Sequence, residues 1–188
     1  WFPSPYRLTH GVRHPMSNWT EPLGLLGSRS WNKFVPSSIL GCSDAQIAHF
    51  LHHLWATDGS LSIGRNGRGD VVRLYYATTS EDLALGVQQL LLRLGIRSTI
   101  AMAKKERVGG GQYRPGYAVR VQGVVDQTRF LTTVGVHGQR GDLVAEALTV
   151  LAHQKANPNV DLIPWEIGAS VRSAMAEAGV SQRDLAAA

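Results

Sequence analysis

Ile47, Phe50, Leu51 and Leu54 recur at helical spacing, which predicts an amphipathic helix over about 44–57 with one buried stripe. Ser43, three residues ahead of Gln46, supplies a capping-box start. Asp58 and Gly59 close the segment, and the glycine is expected to let the chain turn out of the helix. Ser60-Leu61-Ser62-Ile63 then alternates as a strand does. Strands at about 60–66 and 70–78 join through Asn66-Gly67-Arg68-Gly69, a hairpin-type turn. The next helix, capped by Thr79 or Ser80, carries the stripe Leu83, Val87, Leu90, Leu91 and Leu94 and stops at Gly95. Strands at about 97–105 and 116–123 flank Gly109-Gly110-Gly111, a run expected to be mobile, and helices at about 126–134 and 141–154 close the unit. Ahead of all this a short helix is expected at about 14–24, with a break at Pro36. Helices mixed with antiparallel strands in this order indicate an α+β fold.

Strand alternation sorts side chains to two faces. Leu61 and Ile63 separate from Ser60 and Ser62; Val72, Leu74 and Tyr76 from Arg73 and Tyr75; Tyr117, Val119 and Val121 from Ala118, Arg120 and Gln122. One face is core. The other presents Ser, Arg, Tyr and Gln, which can reach base edges and phosphates; an ordinary solvated sheet face has the same composition.

Charge sharpens this picture. Nineteen Lys and Arg against fourteen Asp and Glu give a net charge of +5, a weak preference for a polyanionic partner. Its placement says more, because Arg65, Arg68, Arg73, Lys104, Lys105 and Arg120 all fall in the strand region, where acids are few. No apolar run approaches the ~20 residues of a membrane helix, so a membrane partner is not expected. The N-terminus has no signal-peptide layout and no initiator Met, which suggests a piece of a longer chain. Cys42 is the only cysteine, so an internal disulfide and a cysteine-rich zinc site are excluded.

Leu51 to Gly59 resembles the signature nonapeptide of the LAGLIDADG homing endonucleases, matching at Leu51, Leu54, Asp58 and Gly59. The order of elements after it is that of the family. Trp19, Leu23-Gly24-Leu25, Gly27, Ser30, Lys33 and Val35-Pro36 resemble the linker that precedes the second motif in intein-borne members. The Trp55-Ala56-Thr57-Asp58-Gly59 form is similar to that of inteins in bacterial replicative DNA helicases. The resemblance covers roughly residues 10–160. It implies an α-β-β-α-β-β-α unit whose antiparallel saddle sheet lies in the major groove of double-stranded DNA, in a bacterial cytoplasm.

The resemblance also implies a chemistry, metal-dependent hydrolysis of phosphodiesters. Asp58 would ligate Mg²⁺ (or Mn²⁺), with the carbonyl of Thr57 or Gly59 as a supplementary ligand. Thr79, with Thr78 and Ser80 as alternatives, and Arg140, with His137 beside it, fall near positions that carry polar or basic groups around the hydrolytic water. Arg140 could stabilise charge but not act as a base. Lys104 and Lys105 are open to phosphate contacts or to simple solvation. Expected DNA contacts are Ser60, Ser62, Arg65, Arg68, Arg73, Tyr75, Lys104, Lys105, Arg120 and Gln122.

Two departures from the family pattern matter. His52 and His53 occupy positions where family helices carry small residues; as neighbours they point to different faces, so a zinc site there is not expected. Only one motif is present, whereas cleavage of both strands needs two active sites. A second unit must come from the preceding half of a longer chain or from a homodimer. The expected division is therefore 1–40 as linker and short helix, 41–155 as the endonuclease unit, and 156–188 as a helical tail joined through Asn157-Pro158-Asn159. In that tail Gly179-Val180-Ser181-Gln182-Arg183-Asp184-Leu185-Ala186 resembles the start of the second helix of a repressor-like helix-turn-helix, without the recognition helix. Beginning at Trp1 and ending Leu185-Ala186-Ala187-Ala188, the chain as given is not expected to splice, whereas a longer parent is; the runner-up reading is a DNA-binding regulator or an inactive relic.

Overall fold

The structure, a computed structural model, describes residues 14–66, 69–103, 114–155, 167–181 and 183–184. The Gly109-Gly110-Gly111 run, the Asn157-Pro158-Asn159 segment, Arg68, Lys104 and Lys105 lie outside the described residues. The chain divides into two compact units, Trp1–Ala156 and Asn157–Ala188.

In the first unit α1 (Pro15–Thr20) and α2 (Ser37–Leu40) precede α3 (Asp44–Asp58), β1 (Gly59–Asn66) and β2 (Gly69–Thr78). Then come α4 (Glu81–Arg93), β3 (Ser98–Ala103), β4 (Gly116–Val121), α5 (Val124–Thr133), a 3-10 helix (Gly138–Leu143) and α6 (Val144–Ala152). The four strands form one sheet in the order β1-β2-β4-β3, antiparallel at every pairing. Leu61, Val72, Leu74, Tyr76, Val119 and Val121 point from one face of it into the core, so the helices cover that side and the fold is α+β.

Local chemistry explains the element ends. Ser43 accepts from the Gln46 amide while Gln46 Oε1 accepts from the Ser43 amide, a complete capping box at the start of α3. Ser80, rather than Thr79, caps α4 by accepting from the Leu83 amide. At the other end of α4, Gly95 at φ +70° donates to Leu92 and Ile96 donates to Leu91, a Schellman motif. The expected helix over 14–24 is confined to α1 and then loosens into turns, with Gly24 and Gly27 at positive φ. The expected helix over 141–154 is split, its first turn being 3-10 and only Val144–Ala152 being α.

The buried stripe of α3 is Ile47, Ala48, Leu51 and Trp55; Phe50 and Leu54 are only partly buried. This rotates the expected stripe, and Trp55 is the reason. Its ring is fully buried, with ring centres 4.6 Å from Phe130 and 5.4 Å from Tyr76, so the largest side chain of the helix sets which face turns inward. Two buried polar residues on α5 complete the core. Gln127 donates to both the Val72 and Val121 carbonyls at 3.0 Å, tying β2 to β4 past the end of their ladder. Asp126 accepts from the backbone and side-chain nitrogens of Arg97.

In the second unit α7 (Ile167–Ala178) ends at Gly179, φ +65°, with Val180 donating back to Met175. Ser181 and Asp184 then exchange hydrogen bonds in a capping arrangement. Among the described residues no helix is long and apolar enough to cross a membrane.

Candidate active site and nucleic-acid interface

Asp58 is the last residue of α3 and Gly59 the first of β1. Gly59 is not there for a left-handed turn: its backbone is extended, at φ −77° and ψ 160°. A Cβ at this position would stand 2.3 Å from Trp55 Cδ1 and 2.5 Å from the Trp55 carbonyl oxygen. The glycine therefore lets the helix run into the strand beneath a buried indole, which delivers Asp58 outward at the junction.

The exposed Asp58 lines a cavity of about 430 Å³ together with Ser30, Lys33, Thr78, Thr79 and Tyr117. Residues 30–33 reach it because the start of α4 holds them. Thr79 Oγ1 donates to the Ser30 carbonyl at 2.9 Å, and Ser80 Oγ donates to the Lys33 carbonyl at 2.5 Å. Further along, a Cβ on Gly86 would lie 2.6 Å from Val35 Cγ2, so the strap packs closely on α4. Tyr117 donates to Glu81 at 3.1 Å across the cavity wall.

Tyr76 pairs with Gly59 across the sheet and is buried beneath this junction. Burial pushes its phenol well above the usual range, and the charge of Asp58 pushes it further. Among the described residues no cation forms an ion pair with Asp58.

A divalent metal here would depend on oxygen donors. Asp58 offers one exposed carboxylate, and among the described residues no three His, Cys, Asp or Glu converge on one point. Mg²⁺ takes one or two carboxylates and keeps waters or phosphate oxygens for the rest. The residues present thus suit a hard ion shared with a phosphate, not one enclosed by this chain alone.

Arg140 sits exposed on the 3-10 helix and does not line the Asp58 cavity. His137, its neighbour, lies with its ring 5.6 Å from that of His52, in the middle of α3. The basic residue that does line the cavity is Lys33. Nothing in its local sequence marks it for this role, since only the strap's attachment to α4 carries it there.

On the open face of the sheet, register lines up Ser60, Tyr75, Arg120 and Thr99 across all four strands, with Ser62 opposite Arg73 in the next row. Thr99 donates to Gln122 at 3.2 Å. Gly64 lies under the Arg73 guanidinium, where a Cβ would be 3.2 Å from Cζ. Arg73, Tyr75, Arg120 and Gln122 line one shallow depression of about 380 Å³.

Arg65 departs from expectation. Alternation puts it on the same side as Leu61 and Ile63, toward the helices, where its guanidinium lies 2.6 Å from Glu146 of α6. It belongs to that ion pair and not to the open face. Thr99, conversely, is a polar member of the face that the weak alternation of Ser98-Thr99-Ile100-Ala101 does not advertise.

Comparison with known proteins bears on this arrangement. Residues 45–135 match the family described as a LAGLIDADG-like domain. The chain is 40% identical over 183 residues to a replicative DNA helicase DnaB of Rhodothermus marinus, covering 95% of this chain and 19% of that one. It is 37% identical over 187 residues to a replicative DNA helicase DnaB of Synechocystis sp., covering 98% and 21%. To Protein RecA of Mycobacterium tuberculosis it is 26% identical over 188 residues, covering 94% and 23%. The chain spans about a fifth of the length of these relatives. With helix, sheet and junction arranged as described, residues 45–135 are a LAGLIDADG-like domain of α+β fold, in a chain similar to a segment of bacterial replicative DNA helicases.

Proposed function

We propose that this chain is one half of a site-specific double-stranded DNA endonuclease, the homing part of an intein, acting in a bacterial cytoplasm. The observation that carries the reading is a carboxylate at the α3–β1 junction, without an ion-pair partner among the described residues, beside a sheet face built of Arg73, Tyr75, Arg120 and Gln122. The relatives add support: the same segment is matched in chains with two different names, DnaB and RecA, and fills only about a fifth of each. A portable insert behaves in this way.

Asp58 would supply one hard oxygen to Mg²⁺ or Mn²⁺, and the bound ion would neutralise phosphate charge and activate a water. Lys33 lines the same cavity, and its ammonium would offset the negative charge that develops on the phosphate. Thr79 spends its proton on the Ser30 carbonyl and keeps an acceptor lone pair to orient a water. The open sheet face would position the duplex through phosphates and read base edges with Arg and Gln. One Asp58 serves one strand. A second LAGLIDADG unit, from the same longer chain or from a second copy, must meet this one for both strands to be cut.

The test is incubation of the longer parent protein with Mg²⁺ and the uninterrupted host-gene sequence, scoring double-strand breaks. Loss of cleavage in Asp58→Asn with salt-sensitive binding retained supports the endonuclease. Binding without cleavage by the unmodified parent would instead establish a DNA-binding regulator or relic. That second reading draws on His53, whose exposed imidazole occupies a family position otherwise held by a small residue.

A further inference from the structure

We propose that Arg114, held on the indole of Trp31, binds a backbone phosphate of the nucleic-acid strand that enters the Asp58 cavity. The Arg114 guanidinium carbon stands 3.6 Å from the centre of the Trp31 ring. So short a separation is that of two stacked planes, which occupies the face of the guanidinium and not its edge. The N–H groups lie along that edge, in the fork that matches two phosphate oxygens at once. Among the described residues no carboxylate pairs with Arg114, so the fork is open to a ligand.

The pair stands beside the cavity that holds Asp58. Trp31 lies between Ser30 and Lys33, which form one part of the lining. Arg114 is two residues ahead of Gly116, where the lining by Gly116, Tyr117 and Ala118 begins. The stack therefore joins the strap to the approach of β4. Both partners are held in place. The Thr79 and Ser80 hydroxyls bind the Ser30 and Lys33 carbonyls. The Arg29 amide donates to Asn32 Oδ1 at 2.5 Å, which closes a turn around Trp31. Pro115 confines Arg114 to extended backbone.

A simple latch between the two segments would bury the ring, yet Trp31 stays 42% exposed. Exposed Arg29 and Lys33 on the same strap add positive charge, which suits a polyanion. Ordering the guanidinium on a ring beforehand also reduces the rotamer freedom that binding would cost. A strand whose scissile phosphate sits at Asp58 carries its neighbouring phosphates past this pair. Arg114 thus contacts the strand, and Trp31 acts through Arg114 as a positioning residue. The inference rests on the function proposed above for duplex binding, but not for cleavage.

The two-unit parent protein would be bound to the uninterrupted host-gene duplex in the presence of chelator, so that no strand is cut. Neutral methylphosphonates would replace the phosphates of the duplex one at a time. For each copy of this chain one position is expected where neutralisation weakens the unmodified protein about tenfold and leaves Arg114→Ala unaffected. Arg114→Ala should also lower the slope of log affinity against log salt by about 1, equally on all target sequences. Trp31→Ala should weaken binding about threefold, and Trp31→Phe, which keeps an aromatic face, should restore it. An unchanged slope, no position coupled to Arg114, or a loss confined to one base pair would each overturn the phosphate contact. Equal affinities for Trp31→Ala and the parent would overturn the positioning role. Absence of salt-sensitive binding by the unmodified parent would overturn the DNA reading itself, whereas binding without coupling overturns the Arg114 contact alone.

Discussion

Trp55 and Gly59 fit against each other so tightly that the smallest side chain on the glycine would overlap the indole, its Cβ 2.3 Å from Trp55 Cδ1. Trp55 cannot give way easily, because Phe130 and Tyr76 hold its ring from the core side. The position of Asp58, between the two, is therefore set by core packing and not by the helix end alone.

Gly59→Ala should destabilise the domain by about 1–3 kcal/mol or more through overpacking, measured by urea unfolding. Fluorescence of Trp55 should shift as its ring is displaced. A variant as stable as the parent, with an unchanged spectrum, would show that the indole is free to move.

Lys33→Met should slow single-turnover cleavage by the two-unit protein about 100-fold, the usual scale for removing one group that stabilises developing charge. DNA affinity should fall far less. Arg140→Ala, outside the cavity, should leave the cleavage step near its original rate; the reverse ranking would return the catalytic cation to the 3-10 helix.

Arg73→Ala and Arg120→Ala should each reduce the slope of log affinity against log salt by about 1, the signature of one lost phosphate contact. Arg65→Ala should leave that slope unchanged, because Glu146 already engages this guanidinium on the helix side of the sheet. Filter binding at several salt concentrations separates the three.

Tyr76 gives the fold an alkaline limit. Its phenol stays protonated in the folded chain after an unfolded tyrosine has ionised, so the unfolded state gains as pH rises above about 10. Stability is fully present below that pH and falls above it. Tyr76→Phe should flatten the fall between about pH 10 and 12 in thermal melts; an equally steep loss would place the alkaline sensitivity in other groups.

Asp126→Ala should cost about 2–3 kcal/mol, because it removes the buried carboxylate that accepts from the half-buried Arg97 backbone amide just ahead of β3. Asp126→Asn, which keeps one acceptor oxygen, should cost less. Chemical denaturation of the two variants side by side tests the ranking.

The capping box at Ser43, the Schellman end at Gly95, the alternation of β1, β2 and β4, and the Asp58-Gly59 junction are all legible along the chain. Each depends on hydrogen bonds or periodicities that span only a few residues. Arg65 was legible too, since parity groups it with Leu61 and Ile63, but its charge suits either face and conceals the parity. Three features depended on contacts between distant segments. Trp55, and not Phe50, turns α3 inward because Phe130 and Tyr76 wait there. Lys33 comes to line the Asp58 cavity because Thr79 and Ser80 hold the strap by its carbonyls. Thr99 joins Arg120 on the open face through the β3–β4 register. Local chemistry can write helices, strands and their ends, but the energy that chooses a helix's inward face or a strap's landing place lies in packing between residues far apart in the chain.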